Sequence, residues 1–204
     1  MLRKIRTTLA ILCFALITLL FLDFTGTLHA WFGWLAKIQF LPALLALNLG
    51  VVALLVLATL LFGRIYCSII CPLGVMQDII ARFGSRGRKR KYRYSYSPAK
   101  NWLRYGVLAL FIAALVAGIG SFVALIAPYS AYGRIAQNLL APLYGWGNNL
   151  LAYLAERADS YAFYRTEVWI RSLTTLLIAA ATLILLVVLA WRNGRTWCNT
   201  VCPV

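Results

Sequence analysis

Acidic residues are nearly missing from this chain: five Asp+Glu stand among 204 residues. Charge of either sign is scarce, at 12%, while hydrophobic residues reach 63% and the mean hydropathy is +0.82. A soluble domain is about half apolar and about a quarter charged. The composition therefore excludes a soluble enzyme, a disordered segment and a secreted disulfide scaffold. Histidine occurs once, at His29, so no haem can be held between two histidines of this chain. With so little polar sequence, no separate soluble domain fits beside the apolar runs.

The composition describes an all-α, polytopic membrane protein. A spanning helix needs about 20 mostly apolar residues, and four such runs occur. They predict transmembrane helices over 5–24, 39–63, 102–127 and 168–192. The first run follows Arg3, Lys4 and Arg6, as a signal peptide would. Bulky Leu28 before the one plausible cleavage point, Ala30, favours a retained span. Aromatic residues such as Trp31, Trp34, Trp146 and Tyr153 flank the runs, where membrane interfaces are rich in Trp and Tyr. Val75, Met76, Ile79, Ile80 and Phe83 recur at helical spacing opposite Gln77, Asp78 and Arg82. That pattern predicts a short helix lying on the membrane surface. Residues 129–166 read as one or two further interfacial helices, broken near Pro142 and Gly145.

Twenty Lys+Arg give a net charge of +15. Three precede the first run, ten lie over 63–104 and two follow the fourth run, against five on the opposite side. The positive-inside bias places both termini, and the motifs described next, in the cytoplasm. The stretch 86–97 is the most basic and reads as a cytoplasmic linker near anionic lipid headgroups rather than a nucleic-acid site.

Four of the five cysteines fall in a repeated pattern. Gly63-Arg64-Ile65-Tyr66-Cys67-Ser68-Ile69-Ile70-Cys71-Pro72 returns as Gly194-Arg195-Thr196-Trp197-Cys198-Asn199-Thr200-Val201-Cys202-Pro203. Each copy follows an apolar run that enters from the outer side. The chain thus divides into a first membrane repeat, 1–85, the linker 86–97, and a second repeat, 98–204, related as a parallel pair. Cys13, inside the first run, reads as a small core hydrophobe. The cytoplasm keeps thiols reduced, so metal, cluster or redox chemistry remains for Cys67, Cys71, Cys198 and Cys202. The spacing matches the last part of a bacterial ferredoxin run, Cys-x3-Cys-Pro. Two motifs together supply the four thiolates that one cluster needs. Pro72 suits the first position of a helix, which would put Cys71 at a helix N-terminus, where a thiolate is favoured. Arg64 and Arg195 add positive charge, or anchor the chain at the membrane surface.

With these residues the chain resembles the membrane part of NosR/NapH-type polyferredoxins. The resemblance is carried by the two motifs, by the stretch from Lys37 to Asn48 that includes Gln39 and Pro42, and by Leu73-Gly74-Val75-Met76-Gln77-Asp78. It implies a bacterial inner-membrane electron-transfer protein of anaerobic respiration, linking the quinone pool to redox partner proteins. It also implies four-iron clusters in a cytoplasmic ferredoxin-like domain, which would follow Val204. On this reading the chain is an electron carrier rather than a stand-alone enzyme, and no catalytic residue is assigned. Two alternatives stay open: a membrane protein that binds or reduces copper, since soft thiolates suit Cu(I), and a quinone-linked thiol–disulfide oxidoreductase. His29 and Asp23, near the outer surface, are candidates for exchanging quinol protons, against a purely interfacial or capping role.

Overall fold

The computed structural model describes residues 2–23, 25–63, 65–86, 101–157, 164–168 and 172–202. Among these residues there are helices and no strand. Helix α1 (Leu2–Leu22) leads through two short helices, α2 (Thr27–Phe32) and α3 (Trp34–Lys37), to α4 (Phe40–Leu45) and α5 (Leu49–Phe62). A π-helical turn (Tyr66–Ile70) precedes α6 (Pro72–Arg86). Then come α7 (Asn101–Val116), α8 (Gly120–Ile126), α9 (Pro128–Ile135), a second π-turn (Ala136–Leu140) and α10 (Ala141–Arg157). Helix α11 (Leu173–Asn193) and the short α12 (Thr196–Thr200) complete the order.

Two helices, α1 over Lys4–Leu22 and α11, are long and apolar enough to cross a membrane. The other two runs, expected as continuous over 39–63 and 102–127, are each split. Both breaks use the same hydrogen bonds. In the first, the Asn48 N–H donates to the Ala43 carbonyl at 3.0 Å and the Leu47 N–H to Leu44 at 3.1 Å. In the second, the Ile119 N–H donates to Ala114 at 2.9 Å and the Gly118 N–H to Leu115 at 3.2 Å. This is the Schellman ending of a helix, which needs one residue in the left-handed region. Gly118 (φ 74°) takes that position in one break and Leu47 (φ 52°) in the other. A tight turn follows each time, with Leu49 N–H on the Leu47 carbonyl and Gly120 N–H on the Gly118 carbonyl, both at 2.9 Å. Hydropathy alone sees a continuous run because nearly every residue across the breaks is apolar.

Where α8 meets α9, Pro128 has no N–H for the Ala124 carbonyl, its helical partner four residues back. Arg134 replaces the missing donor. Its guanidinium donates to the carbonyls of Ala124 at 2.6 Å and Leu125 at 2.9 Å, and places a cation at the negative end of α8. The expected break near Pro142 and Gly145 does not occur: α10 runs through both. Pro142 lies in the first turn of α10, where its missing N–H does little harm. The widened turn just before it shifts the bonding by one residue, Ala141 N–H reaching back to the Ala136 carbonyl. Asn138 Nδ2 donates to the Arg134 carbonyl, at 2.9 Å, beside that widening.

The expected surface helix is also corrected. Helix α6 packs against α1, α9 and α11, and buries Leu73, Val75 and Gln77. Gln77, assigned from spacing to a wet face, is 0% exposed, whereas Phe83, assigned to the apolar face, is 55% exposed. The reason lies in its partners: α1, α9 and α11 cover α6, and the Cys198 thiol of the second motif donates to Gln77. The main core joins Ile17, Leu55, Tyr66, Leu73, Tyr132, Ile135 and Leu186, with Cys71 among them. The cysteine site is thus built into the core.

Candidate metal centre

Each cysteine motif begins where a long helix stops. Gly63 ends α5 with φ 68° and ψ −129°, and Gly194 ends α11 with φ 72° and ψ −129°. Residues with a Cβ avoid this conformation, which explains glycine at the head of both copies. The second cysteine of each motif closes the same wide turn. Cys71 N–H donates to the Tyr66 carbonyl at 2.9 Å, and Cys202 N–H to the Trp197 carbonyl at 3.2 Å. The two motifs therefore share the glycine ending and this hydrogen bond, although the first turn is π-helical and the second α-helical over Thr196–Thr200.

Cys71 is extended (φ −75°, ψ 114°), as the residue before a proline prefers. Pro72 opens α6, so Cys71 stands at its N-cap. Burial pushes the Cys71 thiol up to about 12; the Gly74 and Leu73 N–H groups donate to its sulfur and oppose the shift, while the nearby Cys202 and Cys67 sulfurs add to it. Gly74 also allows α6 to approach the first cysteine closely: a Cβ built there would lie 2.2 Å from the Cys67 carbonyl oxygen.

The two motifs meet through α6. The Arg195 guanidinium donates two hydrogen bonds to the Asp78 carboxylate. One residue away, the Cys198 thiol donates to Gln77 Oε1 at 3.5 Å. Burial raises the Cys198 thiol, and the sulfurs of Cys202, Cys71 and Cys67 raise it further, with Arg195 opposing. The cysteines of both motifs thus lie near enough to act on one another electrostatically. The first cysteines of the two motifs, Cys67 and Cys198, line one cavity of about 260 Å³ together with Tyr66, Thr59, Arg104 and Arg195. The second cysteines, Cys71 and Cys202, are buried. None of the four is in a disulfide.

Tyr66 braces this floor. Its hydroxyl donates to Gln39 Oε1 at 3.1 Å and accepts from the Phe40 N–H at 3.1 Å, while Gln39 Nε2 donates to the Ile70 carbonyl at 3.3 Å. This network ties the start of α4 to the turn carrying Cys67. Burial raises the Tyr66 hydroxyl first, and the Cys71 sulfur adds to the shift, so the side chain stays a neutral donor beside the thiols.

The sequence singled out Arg195, and the structure pairs it with Asp78 rather than leaving it at a lipid surface. Arg64 lies outside the described residues, as does nearly all of the basic stretch 86–97. Asp23 and His29 sit at the far end of α1 from the cysteine motifs. The span from Arg6, which borders the Asp78 side of α6, to Asp23 is about 25 Å of helix. Asp23 accepts from the N–H groups of Thr25, Gly26 and His29 at 2.9–3.1 Å and so holds the turn into α2. The His29 side chain is exposed. Cys13 lies in α1, apart from the motifs in sequence. Gln77, Asp78, Gln39 and Tyr66 were not recognised from sequence as site residues. The signal was present: amides in an otherwise apolar setting are costly unless they have a partner.

Among the described residues, no group of three or more Cys, His, Asp or Glu is placed to hold a single metal ion. One tetrahedral ion needs its sulfurs about 2.3 Å away. A multi-iron cluster binds each cysteine to a different iron and takes sulfurs that stand further apart. Three observations fit such a group: four thiols drawn from two motifs, a cavity at the first cysteine of each, and a fully buried Gln77 Nε2 that has no hydrogen-bond partner. An orphaned buried donor costs about 1–3 kcal/mol, and an electron-rich sulfur would satisfy it.

No curated protein and no solved structure matches the chain. A family described as a 4Fe-4S binding domain matches residues 43–91 and 174–204, two stretches that contain all four motif cysteines. The match supports an iron–sulfur binding domain in this chain.

Proposed function

We propose that the chain is a bacterial inner-membrane electron-transfer protein of anaerobic respiration, in which Cys67, Cys71, Cys198 and Cys202 hold one four-iron cluster. The observation that carries this reading is the docking of the second motif on the helix that follows the first, through Arg195–Asp78 and Cys198–Gln77. Neither motif has enough thiols by itself. The bound cluster would supply one-electron chemistry near the membrane surface. The protein's own residues hold the thiols in place, keep water from Cys71 and Cys202, and offer N–H groups to sulfur.

The split runs α4–α5 and α7–α8 join α1 and α11 as four membrane crossings on this reading. Exposed Leu54, Leu57, Leu60, Leu61 and Phe62 on α5, and Leu177, Ile184, Leu185 and Val188 on α11, would face lipid. The charge bias puts the cysteine end in the cytoplasm. Quinone on the membrane side and redox proteins on the cytoplasmic side are the proposed electron partners. The test is iron and acid-labile sulfide analysis of the anaerobically purified chain, with absorption and electron paramagnetic resonance spectra before and after dithionite. A four-iron stoichiometry with a reducible cluster signal is expected. Copper in place of iron, or a protein with neither iron nor sulfide after anaerobic reconstitution, would overturn the assignment.

A further inference from the structure

We infer that Gln77 is the side chain that sets the reduction potential of the centre, by donating an amide N–H hydrogen bond to sulfur at Cys198. The inference rests on the cluster reading above and goes beyond it, since it concerns a residue that ligates nothing. Gln77 is 0% exposed. Its amide touches the site at one atom: the Cys198 thiol donates to Oε1 at 3.5 Å. Its other polar atom, Nε2, is buried without a partner. Among the described residues no other partner accounts for an amide held dry at this position, where a Leu or Met would pack without an orphan.

The protonation state of Cys198 resolves the mismatch. A free thiol can donate to the amide oxygen. A metal-bound thiolate has no proton and can only accept. Once Cys198 is a ligand, its bond to Oε1 is lost, and a half-turn of the amide presents the two N–H donors of Nε2 to the sulfur instead. The orphan donor of the metal-free state then becomes the hydrogen bond of the loaded state. Such bonds stabilise the more electron-rich, reduced cluster and raise its potential. The surroundings keep the donor in place: Asp78, the next residue, is fixed by Arg195, and α6 is packed against α11. Gln77 is thus a positioning and tuning residue rather than a ligand.

The experiment is a dithionite redox titration of the loaded full chain, comparing wild type with Gln77→Met and Gln77→Leu, both apolar replacements of similar size. Iron content is measured for each variant, and the potential is read on the iron-loaded fraction. At a fixed potential the ratio of reduced to oxidised cluster should fall about tenfold, a shift of about 59 mV for a one-electron couple. In parallel, the unmutated protein carrying 15N in its glutamine side chains should show a nitrogen hyperfine coupling to the reduced cluster. That coupling should be absent from Gln77→Met. An unchanged potential with full iron, or no coupling in the unmutated protein, overturns the inference and leaves the cluster reading standing. Loss of iron in both variants together with no coupling assigns Gln77 a structural role and overturns it too. A wild-type chain without any cluster signal overturns the cluster reading itself.

Discussion

Arg195 of the second cysteine motif holds Asp78 of the helix behind the first in a two-pronged grip. The Arg195 side chain is 25% exposed and that of Asp78 39%, so the pair lies between two limits. Exposed pairs contribute about 0–1 kcal/mol, while breaking a buried pair costs about 3–5 kcal/mol. Asp78→Ala should therefore destabilise the fold by roughly 1–3 kcal/mol, and should free the short α12 from α6. Arg195→Lys keeps the charge and loses the paired geometry. Both variants should retain membrane insertion and bind less iron, as read by iron analysis of the purified chain. Full iron retention in both would mean that the grip is incidental to the site.

Gly74 makes a second, independent test of how tightly the site is assembled. A Cβ there would lie 2.2 Å from the Cys67 carbonyl oxygen, and backbone atoms cannot step aside as a flexible side chain can. Overpacking of this kind costs about 1–3 kcal/mol. Gly74→Ala should push the Cys67 turn away from α6 and lower both the unfolding temperature and the iron content. Gly147, in α10, has nothing within 4 Å of the same virtual atom. Gly147→Ala should stabilise by about 0.5–1 kcal/mol and leave iron unchanged. The prediction fails if the two alanines behave alike.

The repeated cysteine pattern was more legible in the sequence than the helix ends and packing around it. The four cysteines stood out because the pattern repeats, and Cys71 at a helix N-terminus followed from Pro72. Gly63 and Gly194 were part of that pattern, and their matched φ and ψ give the physical cause. Helix α6 was misread because its periodicity fits a lipid surface as well as it fits a protein interior. Spacing cannot report that Gln77 and Asp78 face Cys198 and Arg195, more than a hundred residues away. The breaks at Leu47 and Gly118 were hidden for a different reason. Apolar residues satisfy a hydropathy window whether or not the backbone turns beneath them. Gly118 and Asn48 were the local turn signals.

Those two breaks yield a paired prediction. Both adopt the left-handed conformation, at φ 52° for Leu47 and φ 74° for Gly118. That conformation costs an ordinary residue about 1–2 kcal/mol and glycine almost nothing. Leu47→Gly should raise the unfolding temperature in detergent, because the Leu47 side chain is 81% exposed and loses little packing. Gly118→Ala should lower it, at a cost in stability of about 1 kcal/mol. Opposite signs are expected from similar changes at equivalent positions. Destabilisation by Leu47→Gly would show that the Leu47 side chain is held by lipid or a partner.

The metal-free chain should also lose stability in alkali. Burial pushes the Cys71 thiol up to about 12, with the Gly74 N–H opposing, from an unfolded value of 9.0. Between these values the unfolded chain has released this proton and the folded chain still holds it. The unfolded state then binds fewer protons, so stability falls as pH rises through that window and is flat below it. Cys71→Ala should remove part of the fall. Unfolding midpoints at about pH 8 and about pH 10.5, for wild type and variant without metal, provide the check. Equal falls in both proteins would mean that Cys71 does not titrate as its burial requires. Loading with metal should reverse the trend, because ligation replaces the protons and is favoured as pH rises.

A shared centre and two separate pairs differ in how substitutions combine. With one cluster across both motifs, Cys67→Ser or Cys198→Ser each removes a ligand from the same group. Either change alone should abolish electron transfer and most of the bound iron, and the double variant should lose little more. Such non-additivity is the mark of residues acting as one unit. With separate pairs, each single variant would lose about half of the metal, and the double variant all of it. Insertion should survive every substitution, since serine at Cys67 or Cys198 lies beyond the ends of α5 and α11. The first pattern is the one expected on the proposed reading, since Cys67 and Cys198 border one cavity. Iron per chain, measured for the two single variants and the double, decides between the patterns: a half-loss in each single variant would require two centres and would remove the reason for the motifs to meet at α6.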